Sequence, residues 1–263
     1  MEKEIPFAES RRTGRYNGRG MDGFLLKLKR GDSPVYRALR SVARFVFNSG
    51  SIPIPVFLMP GLAFAYRVHQ FVADKVTRLC VFLYVEPLFR SRCARAGSDM
   101  AMIDLPYVLG HCEIVIGERV RLGRRFMVFS GRFLDRPRLR IGDDVTIGDN
   151  CTLSVNQELL IAENVVIGDD CRLSDNDGHP KEADLRAANA PLTERDMRPI
   201  SIGAGARIGS GSQVMKGVTI EPGVIVGPNS VVISRLPAYC FAAGNPAEVR
   251  VADWRQPGGA NPP

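Results

Sequence analysis

Metal and disulfide chemistry have little to work with in this sequence. Its 263 residues include only three histidines and six cysteines. Cys80, Cys93, Cys112, Cys151, Cys171 and Cys240 form no CxxC pair and no metal-ligand spacing, so no metal is expected and the usage fits a reducing cytosol. A secretory start is missing as well: MEKEIPFAES is polar and acidic where a signal would have a basic end and an apolar core, so no signal peptide is expected. The uncharged stretch SIPIPVFLMPGLAFAY is broken by Pro53, Pro55, Pro60 and Gly61, which disqualifies it as a regular spanning helix. Acidic residues are sparse only at the front. Residues 1–95 carry a net +10 and the remainder −3, which makes a nucleic-acid surface on the later part unexpected.

What is abundant is a six-residue rhythm. Ile202, Ile208, Val214, Ile220, Val226 and Val232 recur at strict six-residue spacing, a period that no ordinary helix or strand has. Upstream the rhythm continues in three shorter sets: Ile116, Leu122 and Val128; Ile141, Ile147 and Leu153; Ile161, Ile167 and Leu173. Short insertions explain each break in phase. Four places after most of these residues stands a small or apolar side chain (Val120, Phe126, Val145, Cys151, Val165 and Cys171 among them), which implies a second inward column. Glycine often follows the ladder residue, as at Gly117, Gly142 and Gly209, where a sharp corner would bring a side chain against the next coil. One such hexapeptide cannot bury its apolar side alone, so coils must stack into a β-helix, each inward aliphatic contributing about 1.5–3 kcal/mol.

The repeat covers roughly residues 110–252, followed by a tail, 253–263. Residues 1–32 are rich in Arg, Gly and polar types with little periodicity and are expected to be a disordered basic tail. Residues 33–109 read as a helical segment. Between Ser33 and Phe47, Val35, Leu39, Val42 and Phe45 alternate with Arg37, Arg40 and Arg44 as in an amphipathic helix, and a second helix is expected between Leu62 and Tyr84. Two readings stay open for this segment: a helical hairpin packed on the β-helix or on a neighbouring subunit, or a monotopic membrane contact through residues 33–90.

After Leu173 the ladder stops for a polar excursion, residues 174–199, and resumes at Ile200. A repeat that tolerates so large an interruption generally uses it. Inside lies His179, flanked by Asp175, Asn176, Asp177, Gly178 and Pro180. Histidine is the natural general base for a hydroxyl nucleophile, because it titrates near neutrality and a carboxylate can orient its ring. Asp175 and Asp177 are the candidate orienters, though both are also common turn formers.

Three stretches, DNDGHP (175–180), PISIGAGARIGSGSQVMKGVTIEPGVIVGPNSVV (199–232) and LPAYCFAAGNPAEV (236–249), resemble the hexapeptide-repeat acyltransferases, and among them the maltose, galactoside and surface-polysaccharide O-acetyltransferases. PLFRSRCARAG (87–97) is similar to the lead-in of some bacterial members. The resemblance implies a mainly β fold, a left-handed parallel β-helix with an N-terminal helical segment. It also implies a homotrimer with acetyl-CoA in a cleft between subunits, His179 as base toward a sugar hydroxyl, and backbone N–H groups stabilising the oxyanion. By the same resemblance Asn156 lines the acceptor pocket with Asp175 and Asp177, while Gly209 and Ser210 line the pantetheine channel with Ala204 and Gly205 one corner earlier. Asn245, Pro246 and Ala247 fall near the adenine. Arg207 stands where many relatives have Trp, and Ile233, Ser234 and Arg235 replace their Thr-Lys-Asp, which leaves Arg235 or Arg250 as the cation for the CoA 3′-phosphate.

A zinc enzyme of this fold, the γ-type carbonic anhydrase, needs three converging histidines, and His69, His111 and His179 are poorly placed for that. A serine or antibiotic acceptor, or a non-catalytic scaffold, is the alternative. The basic N-terminal part favours a glycan or lipid-linked sugar acceptor and a cytoplasmic protein at the inner face of a membrane.

Overall fold

The computed structural model describes residues 33–48, 55–131 and 135–255. The expected tail 1–32 and residues 256–263 of the expected C-terminal tail lie outside the described residues. The chain divides into two units, Met1–Val68 and His69–Pro263.

The first unit contains α1 (Pro34–Asn48), a 3₁₀ turn (Val56–Leu58) and the start of α2 (Met59–Cys80). Pro60 sits in the first turn of α2, where the N–H it lacks has no intrahelical partner to lose. No residue of α2 is buried. α2 passes through a π turn (Val81–Val85) into α3 (Glu86–Arg92).

The rest of the second unit is the left-handed parallel β-helix. Its six coils each carry three short strands. In order these are β1 (Arg95–Ala96), β2 (Ala101–Met102) and β3 (Tyr107–Leu109); β4 (Glu113–Ile116), β5 (Arg121–Leu122) and β6 (Met127–Phe129); β7 (Arg138–Ile141), β8 (Thr146–Ile147) and β9 (Thr152–Ser154). Then come β10 (Glu158–Ile161), β11 (Val166–Ile167) and β12 (Arg172–Ser174); β13 (Ile200–Ile202), β14 (Arg207–Ile208) and β15 (Gln213–Val214); β16 (Thr219–Ile220), β17 (Ile225–Val226) and β18 (Val231–Val232). Equivalent strands of successive coils pair in parallel, giving three sheets that start at β1, β2 and β3. β19 (Phe241–Ala243) extends the second sheet, and β20 (Glu248–Val251) pairs with it antiparallel and closes that end.

The register stacks the ladder residues on one another: Ile116 on Ile141, Ile141 on Ile161, Ile161 on Ile202 and Ile202 on Ile220. All fifteen ladder residues are buried, and so is the second column, with Phe126, Cys151, Cys171, Ser212 and Ser230 all fully enclosed. Burial pushes the Cys112 thiol up to about 12, and a hydrogen bond with the neighbouring Cys171 thiol, followed by burial, pushes the Cys151 thiol up. These thiols are small apolar fillers, as their place in the pattern implies. At Gly142 a Cβ would lie 2.7 Å from the Ala162 carbonyl carbon and the Glu163 nitrogen, so the corner glycine is required by the approach of the next coil.

The coils begin at Arg95, not at 110. Ala96, Met102 and Val108 keep the six-residue spacing and stack on Ile116, Leu122 and Val128. Alanine, methionine and one partly buried valine make too faint an apolar signal to stand out. α3 covers this end of the core with Phe89, which is buried, and Arg92 donates to the carbonyls of Gly110 and Cys112 at 2.8 and 3.1 Å. At the other end Trp254, in the expected tail, donates from its indole nitrogen to the Gly223 carbonyl at 2.9 Å.

Candidate active site

The excursion leaves the third sheet at Ser174 and returns at Ile200, and its root is tied to the coils on both sides. Asp175 is fully buried, and its carboxylate accepts from the backbone N–H of Asn156 (2.8 Å) and Gln157 (2.6 Å) on the coil behind it. Burial pushes this carboxyl up, against the pull of those N–H donors and the Asn176 amide. Asn176 donates to Ser154 Oγ at 3.0 Å, accepts from Gly178 N–H at 3.0 Å in an Asx turn, and bridges Met197 antiparallel. Arg198 N–H donates to the Asp175 carbonyl at 2.8 Å and closes the neck.

Within the excursion run α4 (Ala183–Ala187) and a 3₁₀ turn (Glu194–Asp196). A capping box starts the turn: Thr193 N–H and hydroxyl both donate to the Asp196 carboxylate, at 2.9 and 3.0 Å. Those donors, the backbone N–H first and Lys216 to a lesser degree, hold Asp196 below the usual carboxylate range. Lys216, from the KGVTI stretch, reaches across with its ammonium to the Asp177 carboxylate and to the Asp196 carbonyl, the latter at 2.9 Å. It thereby joins both arms of the excursion to the coil after β15.

His179 is exposed at the edge of a groove of about 470 Å³ whose floor is the outer face of the third sheet. Ser154, Arg172, Ser174, Gln213 and Met215 form that floor, and Asp177 and Gly178 form the wall. His179 Nδ1 lies 3.1 Å from the Pro180 carbonyl oxygen. A carbonyl can only accept, so Nδ1 carries the proton and Nε2 is left as the basic nitrogen.

This arrangement corrects the expectation about the orienting carboxylate. Asp175 is turned away onto the backbone of the neighbouring coil and Asp177 onto Lys216, so the ring is held by a main-chain carbonyl. Asp175 and Asn156 are also too buried to touch an acceptor: the Asn156 side-chain oxygen accepts from Gly131 N–H and braces the corner. Of the three expected acceptor residues only Asp177 faces the groove.

The expected cofactor residues divide between two edges of the prism. Gly209 and Ser210 lie at the corner between the second and third sheets, where Ser210 Oγ accepts from Asp169 N–H at 3.1 Å. The turn holding Asn245 and Pro246 stacks near that corner, through Gly244 on Val231 and Ala247 on Val231. Ala204 and Gly205 lie at the corner between the first and second sheets, against Glu163 and Gly223. Arg235 donates to Glu221 at 2.7 and 3.1 Å, and Arg250 pairs with Glu248 at 3.3 Å, both on exposed side chains. Among the described residues no cluster of three or more His, Cys, Asp or Glu could hold a metal.

Two family models match the coils: bacterial transferase hexapeptide (six repeats) over residues 199–234, and hexapeptide repeat of succinyl-transferase over residues 138–158. Residues 138–158 and 199–234 thus match hexapeptide-repeat models. A variant of AntD, an N-acyltransferase from Bacillus cereus solved with dTDP and coenzyme A, is 16% identical, with 65% of this chain and 89% of that chain covered and a TM-score of 0.51. A hexapeptide-repeat containing acetyltransferase, VCA0836 from Vibrio cholerae O1 biovar eltor, solved with acetyl coenzyme A, is 22% identical over 63% of this chain and 74% of that chain, with a TM-score of 0.43. A galactoside acetyltransferase in complex with coenzyme A is 26% identical over 65% and 70%, with a TM-score of 0.36. No curated protein sequence matches. The AntD likeness carries the fold of this hexapeptide-repeat chain and nothing beyond it.

Lys216 and Arg172 were not singled out by sequence reasoning. Lys216 carried a signal, since it is the sole cation between Arg207 and Arg235 in the otherwise uncharged or acidic coils. Arg172 carried none, because outward strand positions are commonly charged.

Proposed function

We propose that the chain is an O-acetyltransferase that moves the acetyl group of acetyl-CoA to a sugar hydroxyl in surface polysaccharide or glycolipid biosynthesis. The observation that carries this reading is His179: an exposed imidazole beside a polar groove, with Nδ1 fixed by Pro180 and Nε2 free. His179 Nε2 accepts the proton of the acceptor hydroxyl as that oxygen bonds to the thioester carbonyl carbon. The tetrahedral oxyanion collapses, the C–S bond breaks, and the imidazolium returns the proton to the departing thiolate. Backbone N–H groups of an apposed coil stabilise the oxyanion. We assign acetyl-CoA to the corner of Gly209 and Ser210 with Asn245 and Pro246, since these share one edge. The single chain offers only one wall there, which favours a homotrimer with a partner supplying the other. Acetyl-CoA as donor places the reaction in the cytoplasm.

Arg172 with the Lys216–Asp177 pair makes the groove neutral to positive, which suits a neutral or anionic glycan. The test is free-CoA release from acetyl-CoA by wild type and His179→Ala across sugars, nucleotide sugars, amino sugars, serine and glycan fragments. Acceptor-dependent release falling by about 100-fold or more in the variant supports the reading. Equal release by both proteins, or no donor binding, sinks it in favour of a scaffold.

A further inference from the structure

We propose that the apolar side of α2 docks on the surface of an anionic lipid bilayer. This helix buries nothing, yet Leu62, Phe64, Val68, Phe71, Val76 and Leu79 share one half of its circumference at 100° per residue, all of them exposed. Phe64 and Phe71 are 70% and 65% exposed, and the preceding turn adds Phe57 at 80%. Large aromatics left this open in a soluble chain mark a contact.

The opposite half of the helix carries Arg67, Gln70, Asp74, Thr77 and Arg78. Within the second unit Gln70, Asp74, Thr77 and Arg78 line a groove of about 630 Å³ together with Ala101 and Arg124 of the coils. The polar side of this part of the helix is therefore the one turned toward protein, and the apolar side points outward. That orientation is the reverse of a helix packed on its own domain.

Charge decides between lipid and a second copy of the chain. Lys75 projects from the middle of the apolar side, its ammonium 5.2 Å over the Phe71 ring. Such a residue suits an interface where its stem lies among acyl chains and its head reaches phosphate. In a three-helix seam three such ammonium groups would converge in apolar surroundings. Residues 45–66 contain no charged side chain, while Arg37, Arg40, Arg44 and Arg67 flank them, and residues 1–95 carry +10. An uncharged aromatic stretch between cations, in a chain none of whose described helices is long and apolar enough to cross a membrane, fits a helix lying in the headgroup layer.

The experiment is co-sedimentation of the full chain with vesicles of phosphatidylcholine alone and of phosphatidylcholine with phosphatidylglycerol in equal parts, at low and high salt. Binding should require phosphatidylglycerol and weaken with salt. Phe64→Glu with Phe71→Glu should reduce it at least about 10-fold. Lys75→Glu, at an exposed site that leaves folding untouched, should reduce it roughly 30-fold, since reversing one charge near such a surface shifts about 2 kcal/mol. No binding to the anionic vesicles overturns the proposal, as does equal binding by wild type and Lys75→Glu. Failure of wild type to bind, with loss of self-association in the Phe variant, assigns the surface to a second copy instead.

Discussion

Replacing Lys216 by methionine keeps the stem that packs under the excursion and removes the ammonium that joins its arms. The side chains of Lys216 and Asp177 are only 13% and 21% exposed, and a second bond runs to the Asp196 carbonyl at 2.9 Å. Hydrogen bonds to charged groups contribute about 1.5–3 kcal/mol. With about 2 kcal/mol lost, the ratio of open to closed excursion should rise about 30-fold. Trypsin reads that ratio directly, because Lys181, Arg186 and Arg195 all lie inside the excursion and cleavage tracks the open population when opening is fast. The variant should be cut there about 30-fold faster while the coils keep their melting temperature, for no stacked strand loses a partner. Unchanged cleavage would refute the latch. A melting temperature lowered in step with cleavage would refute its confinement to the excursion.

Acid should open the same segment. Asp196 is held below its unfolded value by Thr193, so its contribution is full above about pH 4 and is lost as pH falls through the lower folded value; Asp196→Asn should abolish that acid-dependent rise in cleavage, read with pepsin, which is active at that pH. Gly142→Ala should cost about 1–3 kcal/mol by overpacking against Ala162 and Glu163, measured by urea unfolding, whereas Gly61→Ala, with nothing within 4 Å, should not destabilise. Leu153→Ala, at a fully buried ladder position, should cost about 2–5 kcal/mol in the same assay, and a loss under 1 kcal/mol would argue against stacking as the source of stability.

The six-residue rhythm made the coils legible because every inward position repeats an identical environment, so Ile202 to Val232 announce themselves. His179 was legible for the opposite reason: it stands in the one long departure from that rhythm. What escaped are contacts between coils, which depend on which residues the winding brings side by side. Asp175 looked like a partner for its neighbour His179, yet its carboxylate turns to the N–H groups of Asn156 and Gln157 one coil back. The pairing of Arg235 with Glu221 likewise follows from the winding and from no signal in the sequence. The first coil was hidden because Ala96, Met102 and Val108 supply the spacing without the strong hydrophobicity.

Leu159 and Ile200 pair directly in adjacent strands, although the whole excursion separates them in sequence. The stack meets across its neck as though the intervening residues were not there, so lengthening, shortening or replacing them leaves every ladder contact intact. Scaffold and excursion are thus separately editable. A chain built this way can exchange one excursion for another between Ser174 and Ile200 while every ladder residue keeps its stacked partner.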